Sequence, residues 1–106
     1  MRKIRISEDA YADIDEMFSY ISAENKTAAS TLRQRIYTGI KGLNNFPYKY
    51  PVVQTEDIPG ATPGYRYMVV GSYMVFYRVL DDAIVIARIL HTRQNCLHLL
   101  FDDNID

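Results

Sequence analysis

Hydrophobic periodicity divides the chain into a helical first half and a β-rich last third. Residues 3–6 alternate polar and apolar side chains, which predicts a short strand. Ser7 predicts the N-cap of a first helix that runs to about Glu24, and Thr27 predicts the cap of a second helix that ends before Pro47. The apolar faces at helical spacing are Ala10, Ile14, Met17, Phe18 and Ile21 in the first helix, and Ala29, Leu32, Ile36, Ile40 and Leu43 in the second. The short link between them predicts an antiparallel hairpin.

Residues 46–64 form a connection that contains all four prolines, and the sequence assigns no function to it. Three strands in a meander follow. Residues 65–70, 73–80 and 83–91 are rich in β-branched and aromatic side chains, and two-residue turns separate them. Residues 94–101 are predicted to form a short helix or a packed tail. The expected fold class is α+β: an N-terminal strand and a helical hairpin packed on one face of an antiparallel β-meander, in one domain spanning residues 1–106.

The turns also predict which side chains share a face of the sheet, because successive residues of a strand point in opposite directions. We expect the face with Phe76, Val85, Ala87 and Ile89 to lie under the helices, since its small residues allow close approach. The opposite face would then be open, and an exposed apolar face indicates a partner. The predicted binding surface on that face consists of Met68, Tyr73, Val75, Tyr77, Ile84 and Ile86. Alternatively, the C-terminal tail covers this face, and a β-bulge would shift either assignment.

Composition indicates a folded domain without metal or cofactor chemistry. Hydrophobic residues make up 48% of the chain and charged residues 24%, as in ordinary globular domains. The single cysteine, Cys96, excludes an intramolecular disulfide and fits a reducing compartment. Because no segment matches a signal peptide or a membrane helix, we expect a cytoplasmic protein without membrane contact. His91 and His98 lack thiol or carboxylate neighbours at ligand spacing, so neither a metal site nor a cofactor is predicted.

Three segments resemble the RelE/ParE superfamily of toxins from bacterial type II toxin–antitoxin systems, which include plasmid-stabilisation systems. They are SEDAYADIDEMFSYI, LNNFPYKYP and YRYMVVGSYMVFYRVLDDAIVIARILHTRQN. The resemblance as a whole covers roughly residues 3–95. The third segment is similar to the ParE-like branch in the order of Arg66, Gly71, Tyr73, Tyr77, Arg78, His91 and Arg93. The resemblance implies a toxin that is neutralised by a cognate antitoxin, which wraps it with a helix or a strand in a hetero-oligomer. The apolar surface defined above would then bind the antitoxin.

The superfamily divides by mechanism, since RelE-like members cleave mRNA on the ribosome and ParE-like members poison DNA gyrase. Cleavage requires a base, an acid and a cation at the phosphate. The resemblance gives Arg66 the phosphate contact, and Arg88 and His91 complete the catalytic set if the chain is a nuclease. In the ideal register, however, His91 lies on the other face of the sheet from both arginines.

The charge of the chain favours the ParE-like branch of the superfamily. The net charge is −1 and the pI is about 6.1, which is unfavourable for a ligand of the phosphate-rich ribosome. We therefore favour the gyrase-directed toxin. A ribosome-dependent mRNA endonuclease and a non-toxic protein-binding module remain as alternatives, and the sequence does not decide whether the chain is an enzyme.

Overall fold

The computed structural model describes residues 2–56, 58, 60–93 and 96–101, with positions 96–98 described at the backbone alone. Its elements are β1 (Lys3–Ile6), α1 (Glu8–Ser22), α2 (Lys26–Gly42), β2 (Tyr65–Val70), β3 (Tyr73–Val79), β4 (Ala83–His91) and α3 (Cys96–Phe101). The expected α+β class is confirmed, because a helical hairpin packs on one face of a four-stranded sheet with the order β1-β4-β3-β2. The strands β2, β3 and β4 form the antiparallel meander, and β1 pairs in parallel with β4, so the sheet is mixed.

Short polar side chains determine where both helices of the hairpin begin. Ser7 is the N-cap of α1, as predicted, and its Oγ accepts a hydrogen bond from the Ala10 amide at 3.0 Å. The predicted cap of α2, Thr27, is wrong. Asn25 is the cap, and its Oδ1 accepts from the Ala28 amide at 3.0 Å. The cap lies earlier because α1 already ends at Ser22, so Thr27 falls inside the first turn of α2.

The predicted register of the meander holds as far as a β-bulge in β4. Tyr77 lies opposite Ile86, as the turn between β3 and β4 requires. The next pair is Phe76 with Arg88, so Ala87 is an extra residue in β4. Because side chains alternate with a period of two, this single residue reverses the faces of the rest of the strand.

The two faces of the sheet are covered the opposite way round from the prediction. The helical hairpin packs on the face that was expected to be open, where Val75, Ile84 and Ile86 are fully buried. The face predicted to lie under the hairpin is covered instead by α3 together with Val53, Ile58 and Ala61. Ile89 is the exception, because the bulge turns it into the core under the hairpin, as predicted. The first face carries the more continuous set of aliphatic side chains, so placing the two long helices on it removes more apolar surface from water.

The C-terminal tail is a short helix, as one of the two alternatives predicted, but it packs on this second face. Leu100 and Phe101 of α3 pack with Val53, Phe76 and Leu90 in a core that is separate from the one under the hairpin. In the described part of the chain, no helix combines the length and apolarity needed to span a bilayer. The side chains of Cys96 and His98 and the acidic residues 102–106 lie outside the described residues.

Candidate functional site

Arg66, at the start of β2, binds the loop that follows α2. Its Nη1 donates hydrogen bonds to the carbonyl oxygens of Tyr50 at 2.7 Å and Tyr48 at 3.3 Å, and its guanidinium carbon lies 5.1 Å from the centre of the Tyr48 ring. Tyr77 lies opposite Arg66 and donates from Oη to the Pro47 carbonyl oxygen at 2.9 Å. Burial raises the pKa of the Tyr77 phenol, and the nearby Arg66 opposes that rise. Arg66 and Tyr77 therefore hold residues 47–50 against the sheet.

A cleft of about 600 Å³ lies at the other end of the sheet, between α1, the end of β4 and α3. Its lining residues are Asp13, Glu16, Met17, Tyr20, Tyr73, Arg88, Ile89, Leu90, His91, Arg93 and Leu99. The residues from α1 recur at three- and four-residue spacing, which places them on one face of that helix. The cleft therefore brings a histidine and two arginines together with two tyrosines and two carboxylates.

Within the cleft, Arg88 forms a two-pronged ion pair with Asp13. Arg88 Nε lies 2.8 Å from Asp13 Oδ2, and Nη2 lies 3.0 Å from Oδ1. Asp13 Oδ2 also accepts the backbone amide of Ile89 at 2.9 Å, and Arg88 Nη1 donates to the Leu99 carbonyl at 3.2 Å. β1 pairs with β4 only as far as Ile86, so it leaves the edge of β4 beyond that residue unpaired. Asp13 supplies the hydrogen-bond acceptor for the Ile89 amide on this edge.

His91 lies opposite Tyr73 at the end of β4. The two rings meet edge to face with their centres 5.1 Å apart, and His91 Nδ1 accepts the backbone amide of Arg93 at 3.0 Å. An acceptor at Nδ1 assigns the proton of the neutral ring to Nε2. Burial raises the pKa of Tyr73, and Tyr20 and Glu16 nearby add to the rise. The cleft therefore places groups that can transfer protons beside two arginines, a combination suited to reactions of a phosphate group.

The structure brings together only two of the three residues predicted for catalysis. Arg88 and His91 line the same cleft, whereas Arg66 pairs with Tyr77 at the other end of the sheet. Strand geometry puts the α-carbons of Arg66 and His91 on the order of 16 Å apart. The bulge also moves Arg88 off the face of Arg66, contrary to the prediction, because Arg88 lies opposite Phe76.

The sequence prediction missed the contribution of α1 to this cleft. Asp13, Glu16 and Tyr20 are polar or aromatic residues at spacings of three and four, and that pattern on one helix face is the signal that could have found them. Among the described residues, no group of three or more side chains is placed to hold a metal ion.

The face predicted to bind the antitoxin is not open. Its six residues are buried in the core between the helices and the sheet, with exposed fractions of 9% or less: Met68, Tyr73, Val75, Tyr77, Ile84 and Ile86. The prediction followed from assigning the helices to the wrong face, so its physical basis is lost. Met68 also lines a groove beside α2, and Tyr73 lines the cleft, but a partner could reach the other four side chains only by displacing α1 and α2.

A shallow groove of about 370 Å³ between α2 and the edge strand β2 is accessible instead. Gly39 lies in this groove, and a β-carbon there would lie 2.9 Å from Met68 Cε, so the helix packs closely on the sheet. Val69 is 55% exposed, although it lies within a strand. The backbone amide and carbonyl groups of Tyr65 and Tyr67 point away from β3 and pair with the segment around Val52. Because these groups alternate along a strand, the amide and carbonyl of Val69 also point away from β3. In the described part of the chain, β2 has no further strand beside Val69.

An N-terminal strand and a helical hairpin on an antiparallel meander define the toxin-like α+β fold of this chain. Residues 4–96 match the sequence family described as the ParE toxin of the type II toxin–antitoxin system parDE. The chain therefore belongs to the ParE toxin family. No curated protein matches the sequence.

Solved structures agree on the fold. A chain from the chromosomal ParDE system of P. aeruginosa superposes with a TM-score of 0.66 at 21% identity, covering 86% of this chain and 96% of that one. A mutant of the E. coli toxin RelE in the free state gives 0.63 at 13% identity, covering 99% and 98%. The YoeB dimer from Staphylococcus aureus gives 0.54 at 19% identity, covering 82% and 92%. At these identities the structural likeness shows a shared fold.

Proposed function

We propose that this ParE-family toxin acts by binding and inhibiting DNA gyrase, without cleaving RNA. The separation of Arg66 from His91 carries the proposal, because the arginine that the resemblance assigns to the phosphate lies at the other end of the sheet from the histidine that would act with it. Arg66 is occupied by two loop carbonyls, and Arg88 is paired with Asp13. The net charge of −1 also suits a protein target better than the ribosome.

The test compares two activities of the purified chain. We expect it to inhibit supercoiling of relaxed plasmid by gyrase and to leave ribosome-bound mRNA intact in a primer-extension assay. His91→Gln should inhibit gyrase as well as the unaltered chain does, because the proposed mechanism has no proton-transfer step. Cleavage of mRNA without inhibition of gyrase would overturn the proposal. A chain that neither inhibits gyrase nor arrests growth would support a non-toxic binding module.

The cleft around His91 supports one second candidate, a ribosome-dependent mRNA endonuclease. It places His91, Tyr73 and Glu16 beside Arg88 and Arg93, so a base, an acid and a cation can share one site without Arg66. This candidate predicts that His91→Gln lowers mRNA cleavage by about 10²-fold or more, as expected for loss of a general acid or base. Arg66→Lys is the control, since Arg66 lies outside the cleft.

We further propose that the cognate antitoxin adds a strand to β2 at Val69 and fills the adjoining groove. An exposed strand edge with an outward-facing amide and carbonyl is the usual template for such addition. Val69→Pro removes the outward amide without breaking a bond to β3, so antitoxin affinity should fall about tenfold for the lost hydrogen bond. Val69→Thr keeps the amide and should bind like the unaltered chain. Equal affinity of both variants in calorimetry would contradict strand addition.

A further inference from the structure

A patch of aromatic and cationic side chains lies apart from both the cleft and the groove. It is formed by Arg2, Phe46, Tyr48, Lys49, Arg66 and Leu80, and we call it the aromatic patch. Phe46 is 66% exposed, Tyr48 58% and Leu80 39%. Phe46 and Tyr48 belong to one turn, and Arg2 contacts both the Tyr48 ring and the Leu80 carbonyl, so these exposed apolar residues lie on adjoining segments. This grouping needs an explanation, because single exposed residues are ordinary but clusters mark contact sites.

The cations of the patch contact aromatic rings and carbonyl oxygens. The guanidinium carbons of Arg2 and Arg66 lie 5.7 Å and 5.1 Å from the centre of the Tyr48 ring. Arg2 Nε donates to the Leu80 carbonyl at 2.7 Å, and Lys49 Nζ lies 5.4 Å from the Tyr50 ring. Within the described residues, the single ion pair joins Arg88 and Asp13, so these three cations have no carboxylate within 4.0 Å. The patch is therefore positive as well as apolar.

The loop that carries the patch is held in place before any partner arrives. The Lys49 amide donates to the Phe46 carbonyl at 3.2 Å, and Tyr77 Oη binds the Pro47 carbonyl at 2.9 Å. Arg66 binds the carbonyls of Tyr48 and Tyr50 from the sheet. A surface fixed in this way loses little conformational entropy when it binds, so more of its contact energy becomes affinity.

We propose that the aromatic patch is the surface with which this toxin docks on its target, and that the target presents an acidic protein surface with an apolar centre. Exposed tyrosine and phenylalanine beside arginine is the composition that dominates protein–protein binding energy. The cations of the patch select an acidic partner by charge complementarity. A nucleic-acid partner fits less well, because a chain with a net charge of −1 gains little of the electrostatic attraction on which phosphate binding depends. The inference extends the proposal that the chain acts by binding a protein.

The experiment measures growth arrest after induction in bacteria and, separately, inhibition of gyrase by the purified chain. The patch variants are Phe46→Ala, Tyr48→Ala and Lys49→Glu. The matched controls are Tyr11→Ala, at an aromatic residue that is 50% exposed on α1, and Lys26→Glu at the exposed start of α2. We expect each patch variant to weaken toxicity about tenfold, as for an interface residue worth about 1.4 kcal/mol, and the controls to change it less than twofold. Circular dichroism should show that all five variants fold, with melting temperatures within about 5 °C of the unaltered chain.

The outcomes separate this inference from the gyrase proposal. Undiminished toxicity of all three patch variants overturns the docking surface and leaves gyrase inhibition standing. Loss of toxicity in the patch variants, when the unaltered chain has no effect on gyrase, supports the surface and overturns gyrase as the target. Binding of a fluorescent single-stranded oligothymidine that the same variants abolish would overturn the protein partner in favour of a nucleic acid. An unaltered chain that arrests no growth overturns both proposals.

Discussion

The carboxylate of Asp13 is predicted to be one of the most important polar groups for stability, and Asp13→Ala tests this. The substitution removes three hydrogen bonds at once, two from the Arg88 guanidinium and one from the Ile89 amide. It also removes the counter-charge that Asp13 supplies to the Arg88 guanidinium. The exposed fractions are 11% for the Asp13 side chain and 21% for that of Arg88, so water can replace only part of what is lost.

The expected magnitude follows from that partial burial. Removing one partner of a fully buried ion pair costs about 3–5 kcal/mol, and an exposed pair contributes about 0–1 kcal/mol. A pair that is one-tenth to one-fifth exposed and also binds a strand amide should lie between these limits, at about 2–3 kcal/mol. With a slope of about 1–3 kcal/mol per molar urea, the unfolding midpoint should fall by about 0.7–3 M.

Urea unfolding followed by circular dichroism gives this number, with Asp15→Ala as the control because Asp15 is an exposed acid on the same helix. The double variant with Arg88→Met isolates the pair, and its cost should be smaller than the sum of the single costs by about 1 kcal/mol or more. If Asp13→Ala costs less than about 0.5 kcal/mol, or costs the same as Asp15→Ala, the reasoning is refuted.

The Tyr77 hydroxyl and two glycines give further predictions about the stability of the fold. Tyr77→Phe removes the hydroxyl that binds the Pro47 carbonyl and should cost about 1–2 kcal/mol in urea unfolding. Because burial raises the folded-state pKa of Tyr77 above its ordinary 10.0, the folded chain keeps that proton longer than the unfolded chain. Its contribution is therefore complete below about pH 10 and is lost as the pH rises through the folded-state pKa. Tyr77→Phe should flatten this alkaline decline, and an unchanged decline would contradict the assignment. Gly71 has a φ of 59°, so Gly71→Ala should introduce about 1 kcal/mol of backbone strain and lower the melting temperature. Gly42→Ala in α2 meets no atom within 4 Å and should raise the melting temperature. Shifts of the same sign would refute that pair.

Local patterns predicted most of the elements and both turns of the meander. The cap at Ser7, the helical hairpin and the register as far as Tyr77 opposite Ile86 all follow from spacings of two to four residues. The same patterns carry the resemblance to the toxin superfamily, which the family match over residues 4–96 confirms. Such signals are readable from the sequence because each depends on residues close together in the chain.

The candidate site depended on contacts that no local pattern contains. Alternation sorted side chains into two faces. Which face received the hairpin depended on how much apolar surface the hairpin could bury, compared with α3 and the residues Val53, Ile58 and Ala61. The extra residue Ala87 moved Arg88 to the opposite face of the sheet from Arg66 and placed His91 opposite Tyr73. On the same strand, Asp13 accepts the hydrogen bond of the Ile89 amide. Asp13 and Ile89 are 76 residues apart in the chain, so their contact exists only after the helices and the sheet have packed.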